Sequence, residues 1–108
     1  MPEANELLHG TLDTLVLKTL AWGPRHGYAI ARWVADTTGD DLTVEEGALY
    51  TALHRLEKRT LLSAEWGLSE NNRKAKFYAI TKRGVKALGD RQDTWSRLST
   101  AVGRVLAR

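Results

Sequence analysis

The spacing of apolar residues changes twice along this 108-residue chain, and these changes narrow the folds it can adopt more than any other feature. Before residue 61, apolar side chains recur every three or four residues, as in amphipathic helices. Residues 62–66 alternate between apolar and polar, and residues 75–80 are rich in β-formers, which predicts a hairpin with its turn at residues 67–74. From residue 82 the helical period returns. The sequence therefore predicts an α+β fold, mostly α with a small β-hairpin.

Two helices are predicted in the first third of the chain. The first spans residues 5–22 and ends at Gly23-Pro24, because proline lacks a backbone N–H and disfavours helical geometry in the residue before it. The second spans residues 27–37 and buries Ile30 and Val34, together with either Tyr28 or Ala31. The apolar stripe of the first helix is formed by Leu8, Leu12, Leu15, Val16 and Leu20.

A third helix is predicted to start at the sequence TVEE, residues 43–46. This is a capping box, in which Thr43 caps the backbone N–H of Glu46 and the Glu46 side chain reaches back. The helix has two faces. The apolar stripe is formed by Ala48, Leu49, Ala52, Leu53 and Leu56, and the opposite face by Gly47, Tyr50, Thr51, His54 and Lys58, with Arg55 on the margin.

The polar face of this third helix suits a helix that enters a DNA major groove. Such a helix packs one side on its own domain and offers the other to base edges and phosphates. Tyr50 can donate its hydroxyl to a phosphate, Thr51 and His54 are short enough to approach bases, and Arg55 and Lys58 lie where the helix leaves the groove. The alternative interpretation is an ordinary solvated face.

Basic residues are concentrated around the predicted hairpin. The chain has a net charge of +3 and a pI of about 9.4, a mild bias that many proteins without a polyanionic partner share. Arg73, Lys74 and Lys76 lie at the end of the turn and would project toward phosphates or a minor groove, releasing counterions. For each cation alone, a solvated turn is the alternative.

The last predicted helix spans residues 82–107 and is capped by Thr81. Its apolar and polar seam positions alternate at three- and four-residue steps, the spacing of a coiled-coil seam. We interpret this seam as a homodimer interface, with packing inside the monomer as the alternative. Residues 1–81 then form one domain and residues 82–108 a dimerisation helix, in one compact unit. The predicted interface is Val85, Leu88, Gln92, Trp95, Leu98, Val102 and Leu106, with Ser99 also on the seam.

Several classes of protein are disfavoured. The chain has no cysteine, so it has no disulfide or thiolate metal site. His9, His26 and His54 are too dispersed for a metal site, and P-loop, HExxH and nucleophile-elbow patterns are missing. We therefore expect no cofactor, no metal and no enzymatic activity. With no basic leader in residues 1–6 and no long apolar run, we expect a cytoplasmic protein without a membrane partner.

Motifs along nearly the whole chain give it a recognisable pattern. They are GTLDTLVL at residues 10–17, GPRHGY at 23–28, EGALY at 46–50 with LHRLE at 53–57, and RKAKFYAIT at 73–81 followed by Arg83-Gly84. In this order and spacing the chain resembles the short PadR family of transcriptional regulators. Thr51 stands where that family usually has a proline, which weakens inference about base specificity.

The resemblance implies a winged helix-turn-helix with one appended C-terminal dimerisation helix. It also implies a repressor that binds a pseudo-palindromic operator as a homodimer, with each third helix in a major groove and each hairpin, the wing, on flanking backbone. The alternative from another class is a winged-helix module that binds a protein and no DNA. Salt would separate the two, since DNA binding weakens steeply as salt rises.

Small PadR-like regulators also bind planar aromatic compounds at the dimer centre. Trp95, within DTWSR at residues 93–97, resembles the tryptophan element that some of them place there, and its ring could face a flat ligand. An ordinary aromatic residue in a dimer seam is the alternative. The residues expected around such an effector are Leu7, Gly10, Thr14 and Lys18 on the first helix and Leu88, Gln92, Trp95 and Ser99 on the last.

Overall fold

The computed structural model describes residues 11–108, and the architecture below is that of this part of the chain. The α+β fold that the sequence predicts is confirmed. Four helices and three short strands follow one another in the order α1 (Leu12–Leu20), β1 (Arg25–His26), α2 (Gly27–Thr37), α3 (Glu46–Lys58), β2 (Leu62–Leu68), β3 (Lys74–Ile80) and α4 (Lys82–Leu106).

The first three helices bury one continuous apolar core. Val16, Leu17 and Leu20 of α1 pack with Ile30 of α2 and with Leu53 of α3, all of them essentially inaccessible to solvent. Of the two options at the start of α2, Ala31 packs against this core and Tyr28 is exposed. Leu8, which the sequence places on the α1 stripe, lies outside the described residues.

The hairpin has a shorter turn than the sequence predicts. Strands β2 and β3 extend to Leu68 and Lys74, which pair directly, so the turn is confined to residues 69–73. The predicted alternation put Trp66 on the side of Leu62 and Ala64, yet its ring is mostly exposed near the tip of the wing. The strand residues that belong to the core or pack against it lie nearer the base of the hairpin, so the core does not cover the Trp66 ring.

A third strand, β1, escapes sequence analysis. Its two residues pair with the middle of the wing, Arg25 with Tyr78 and His26 with Phe77, giving the antiparallel order β1-β3-β2. A two-residue strand has no periodicity to detect. Its effect is to tie the start of α2 to the middle of strand β3.

Two helix starts show how the caps work. Thr81 caps α4 as predicted, because its hydroxyl oxygen accepts from the Gly84 backbone N–H at 3.0 Å. At α3 the N-cap residue differs from the predicted Thr43. The N-cap is Glu45, whose carboxylate accepts from the Gly47 N–H at 3.2 Å, so the helix begins at Glu46.

The base of α4 is locked against the chain segment that precedes the wing. Gly84 is buried so closely that an added Cβ would lie 2.2 Å from the Leu61 carbonyl oxygen. One turn later, Leu88 is only 6% exposed and belongs to the protomer's own core. Leu88, which the sequence places in the dimer seam and at the effector site, thus packs inside the protomer, where α1 and the wing contact this part of α4.

We expect Gly84→Ala to lower the free energy of unfolding by about 1–3 kcal/mol, since a methyl group would push against backbone that cannot retreat. The measurement is urea unfolding at fixed protein concentration. The matched control is Gly89→Ala on the same helix, where nothing lies within 4 Å of an added Cβ. That variant should gain about 0.5–1 kcal/mol of helix stability. Equal effects at both positions would contradict the close contact.

Candidate nucleic-acid interface

Helix α3 divides into the two faces that its sequence predicts. Leu49, Ala52, Leu53 and Leu56 are fully buried. The opposite side is open to solvent over its whole length and carries Gly47, Tyr50, Thr51, His54 and Lys58. The buried face fixes the rotation of the helix about its own axis, so the orientation of the open side is not adjustable.

Individual side chains on this open side differ in which groups remain available to a binding partner. The Thr51 hydroxyl donates to the Gly47 carbonyl of its own helix at 2.9 Å, which leaves its lone pairs and its methyl group for a partner. The Tyr50 ring lies across the start of α2. Its hydroxyl oxygen would be 2.8 Å from a Cβ at Gly27, so only glycine lets it rest there. His54 and Lys58 are exposed.

Arg55 does not belong with this set. Its guanidinium is held by the Asp13 carboxylate of α1 through two hydrogen bonds, one of them from Nε to Oδ2 at 3.3 Å. The Asp13 side chain is 13% exposed, and Arg91 of α4 approaches it to 3.9 Å. The hydrogen bonds to Asp13 raise the pKa of Arg55 above its ordinary value. We therefore assign Arg55 to a link between helices and leave it out of the open face.

The wing presents two of its three predicted cations to solvent. Arg73 and Lys74 are exposed at the turn, and the Lys74 ammonium lies 5.1 Å from the centre of the Trp66 ring. Lys76 is partly neutralised, because its ammonium contacts a Glu57 carboxylate oxygen of α3 at 3.3 Å. This pair connects strand β3 of the wing to the last turns of α3.

An open groove of about 640 Å³ lies between the wing, α3 and the start of α2. Tyr50 of α3 lines it together with the wing residues Arg73, Lys74 and Lys76, whereas the other predicted residues of α3 are not part of its lining. Its other aromatic and imidazole walls were not predicted from the sequence and are formed by His26, Tyr28, Trp66 and Tyr78. The GPRHGY motif was the available signal for the first two of these residues.

The predicted effector residues in the described part of the chain lie on the first and last helices. Leu7 and Gly10 lie outside the described residues. Thr14 and Lys18 are half-buried on α1, with the Lys18 ammonium 5.6 Å from the Trp22 ring. Gln92, Trp95 and Ser99 are all exposed on α4.

Beyond residue 91, α4 leaves the body of the protomer, and each of its residues is exposed. The apolar seam positions here and at the start of the helix are 45–79% exposed: Val85, Trp95, Leu98, Val102 and Leu106. Within residues 11–108, no helix is long and apolar enough to cross a membrane. The same part of the chain holds no group of three or more His, Cys, Asp or Glu residues suited to a metal ion.

Three helices, a wing and an added C-terminal helix define a winged helix-turn-helix protein. Comparison with known proteins supports this architecture. Residues 16–90 match the model of the transcriptional regulator PadR-like family. The chain therefore belongs to the PadR-like family, whose members are transcriptional regulators and not enzymes.

Solved structures show the same architecture. A transcriptional regulator from Clostridium thermocellum is similar with a TM-score of 0.84 and 26% identity, over 93% of this chain and 97% of that one. A PadR family regulator from Eggerthella lenta has a TM-score of 0.80 and 35% identity, over 94% and 86%. Bacillus subtilis PadR, in a crystal structure with operator DNA, shares the fold with a TM-score of 0.65 and 22% identity, over 73% and 45%.

A double-mutant cycle at Asp13 and Arg55 tests the separation of Arg55 from the open face. We expect Asp13→Asn and Arg55→Gln each to lower the free energy of unfolding, with a coupling of about 1 kcal/mol because the pair is only half-exposed. Urea unfolding of the four proteins measures it. No coupling, together with a loss of DNA affinity in Arg55→Gln, would return Arg55 to the DNA-facing set that the sequence predicts.

Proposed function

We propose that this chain is a ligand-responsive repressor that binds a pseudo-palindromic operator in double-stranded DNA as a homodimer. One observation carries the proposal: Tyr50, on the open face of α3, and the exposed wing cations Arg73 and Lys74 line the same groove. A helix that is buried on one side and exposed on the other, with a basic hairpin beside it, matches the shape and charge of a duplex.

In this proposal α3 enters the major groove. Thr51 and His54 approach base edges, Gly47 allows close approach of the helix start, and Tyr50 donates its hydroxyl to a phosphate. Lys58, at the last turn, contacts backbone where the helix leaves the groove. Arg73 and Lys74 reach phosphates or the adjacent minor groove, with Lys76 behind them. The fold likeness to Bacillus subtilis PadR, seen with operator DNA, supports duplex DNA as the partner class.

A second copy of the chain is the proposed partner of α4. The helix has 25 residues, hence a length of about 37 Å, and over its C-terminal part nothing in the described protomer covers the seam. Coiled-coil spacing brings Trp95, Val102 and Leu106 to one side, with Gln92 among them. A two-fold dimer presents two α3 helices in the symmetry that a pseudo-palindrome requires.

The proposed effector is a small planar aromatic compound at the dimer centre. Trp95 supplies an exposed ring, and Gln92 and Ser99 place polar groups where a dry seam would have leucine. Thr14 and Lys18 of α1 complete the proposed wall. A DNA partner also sets the proposed site of action in the cytoplasm.

Removing the wing cations should flatten the salt dependence of DNA binding. Arg73→Ala with Lys74→Ala takes four cations from a dimer, and each phosphate contact contributes about 0.9 to the slope of log K against log salt. We expect a slope less steep by about 3.6, measured by fluorescence polarisation with a labelled duplex from upstream of the chain's own gene.

The control for this double variant is Arg97→Ala with Arg104→Ala. These substitutions remove the same charge from α4 at positions opposite the seam. They should leave the slope of log K against log salt almost unchanged. Identical slopes in both double variants would show that net charge, and not the wing, governs binding. A wild-type affinity that hardly changes with salt would favour the protein-interaction module.

Two seam variants separate dimerisation from ligand binding. Val102→Glu should give a monomer of 12.1 kDa by sedimentation equilibrium, since it places like charges face to face, whereas Thr100→Glu, off the seam, should leave a dimer. Trp95→Ala should remain dimeric and bind the aromatic anion 8-anilinonaphthalene-1-sulfonate about three- to tenfold more weakly, as the loss of one aromatic contact predicts. A monomeric Trp95→Ala would mean that the ring is only a seam residue.

A further inference from the structure

His26 has a double role at the start of α2. It is the N-cap of the helix, and its Nδ1 accepts from the Ala29 backbone N–H at 3.2 Å. An accepting Nδ1 carries no proton, so the neutral ring has its N–H at Nε2. The ring is fixed from two sides, edge-on to Phe77 and stacked toward Tyr28. Its free donor therefore has a fixed direction.

That donor is buried and lacks a hydrogen-bond partner. His26 is only 9% exposed, and Nε2 makes no hydrogen bond among the described residues. What faces it is the carboxylate of Glu70 from the wing turn, with Oε2 at 3.5 Å, just beyond hydrogen-bond length. Both residues line the groove beside α3.

The surroundings favour an anion at this point. The first turn of the 11-residue helix α2 directs its positive dipole end there, the Tyr50 hydroxyl lies over Gly27, and Arg73 and Lys74 line the same groove. A buried donor, a helix N-terminus and two cations are what a phosphate requires. Glu70 is an acid among groups that suit a phosphate.

We infer that Glu70 is an internal competitor of DNA: its carboxylate occupies the phosphate position at His26 and the start of α2, and a backbone phosphate displaces it. This inference rests on the proposed function. Glu70 is suited to leave, because its side chain is 72% exposed on a five-residue turn. Its own backbone N–H, and then the facing His26 ring, lower the pKa of Glu70, so the group is charged at neutral pH.

The test measures affinity for the same labelled duplex at fixed salt. Glu70→Gln should tighten binding about fivefold or more. In the variant, no carboxylate fills the phosphate position of the free protein, so DNA has no competitor to displace. The matched control, Glu65→Gln, removes the same charge from an exposed position on β2 of the same wing. Glu70→Asp keeps the charge but withdraws the carboxylate by one methylene, and it should also bind more tightly than wild type.

His26→Asn allows a double-mutant cycle with Glu70→Gln. Asparagine retains an N-cap acceptor for α2 while removing Nε2, so the helix start survives. In this background Glu70→Gln should gain no more than Glu65→Gln does. In the free protein, the NMR signals of the His26 ring should shift in Glu70→Gln and not in Glu65→Gln.

The contrary outcomes are distinct. Equal gains from Glu70→Gln and Glu65→Gln, with wild type binding duplex, overturn the competitor and leave the proposed function standing. A full Glu70→Gln gain in the His26→Asn background, or a His26 ring signal unaffected by Glu70→Gln, also overturns it. Failure of wild type and of Glu70→Gln alike to bind duplex removes the proposed function itself.

Discussion

The burial of one side of α3 is the constraint on which the rest of the structure depends. Leu49, Ala52, Leu53 and Leu56 are held by α1, α2 and the base of the wing, and this packing leaves no freedom to turn the helix. Every polar residue on the other side is exposed as a consequence of that packing and not through contacts of its own. The surface proposed to meet DNA is thus specified by apolar residues that never touch it.

Charge reinforces this arrangement at two places. Asp13, nearly buried on α1, attracts Arg55 of α3 and Arg91 of α4, so a single carboxylate connects the proposed reading helix to the proposed dimerisation helix. Two residues further along α3, Glu57 holds Lys76 and with it the wing. Each pair partly neutralises one cation, Arg55 in the first and Lys76 in the second. The remaining positive charge beside the groove is concentrated at the wing turn, where Glu70 opposes it.

Periodicity was sufficient to predict most of the fold. The bounds of α2, the two faces of α3 and the length of α4 all follow from patterns formed by residues that are close together in the sequence. The sequence could not locate features that depend on distant partners. Asp13 and Arg55 are 42 residues apart, and β1 is recognised only through its pairing with β3. Leu88 has the spacing of a seam residue but is buried in the protomer's core. The same limit applied to the groove, because the chain separates His26 from Glu70 and only the sheet joins them.

The contact at Gly84 has a consequence for the geometry of any dimer built on α4. Because the Leu61 carbonyl leaves no room for a side chain, α4 departs from the wing at an angle set by backbone against backbone. The direction of the free helix relative to α3 is then a rigid property of each subunit. In the proposed dimer, the angle at this joint would set the separation of the two α3 helices, and with it the spacing between the two halves of the DNA target.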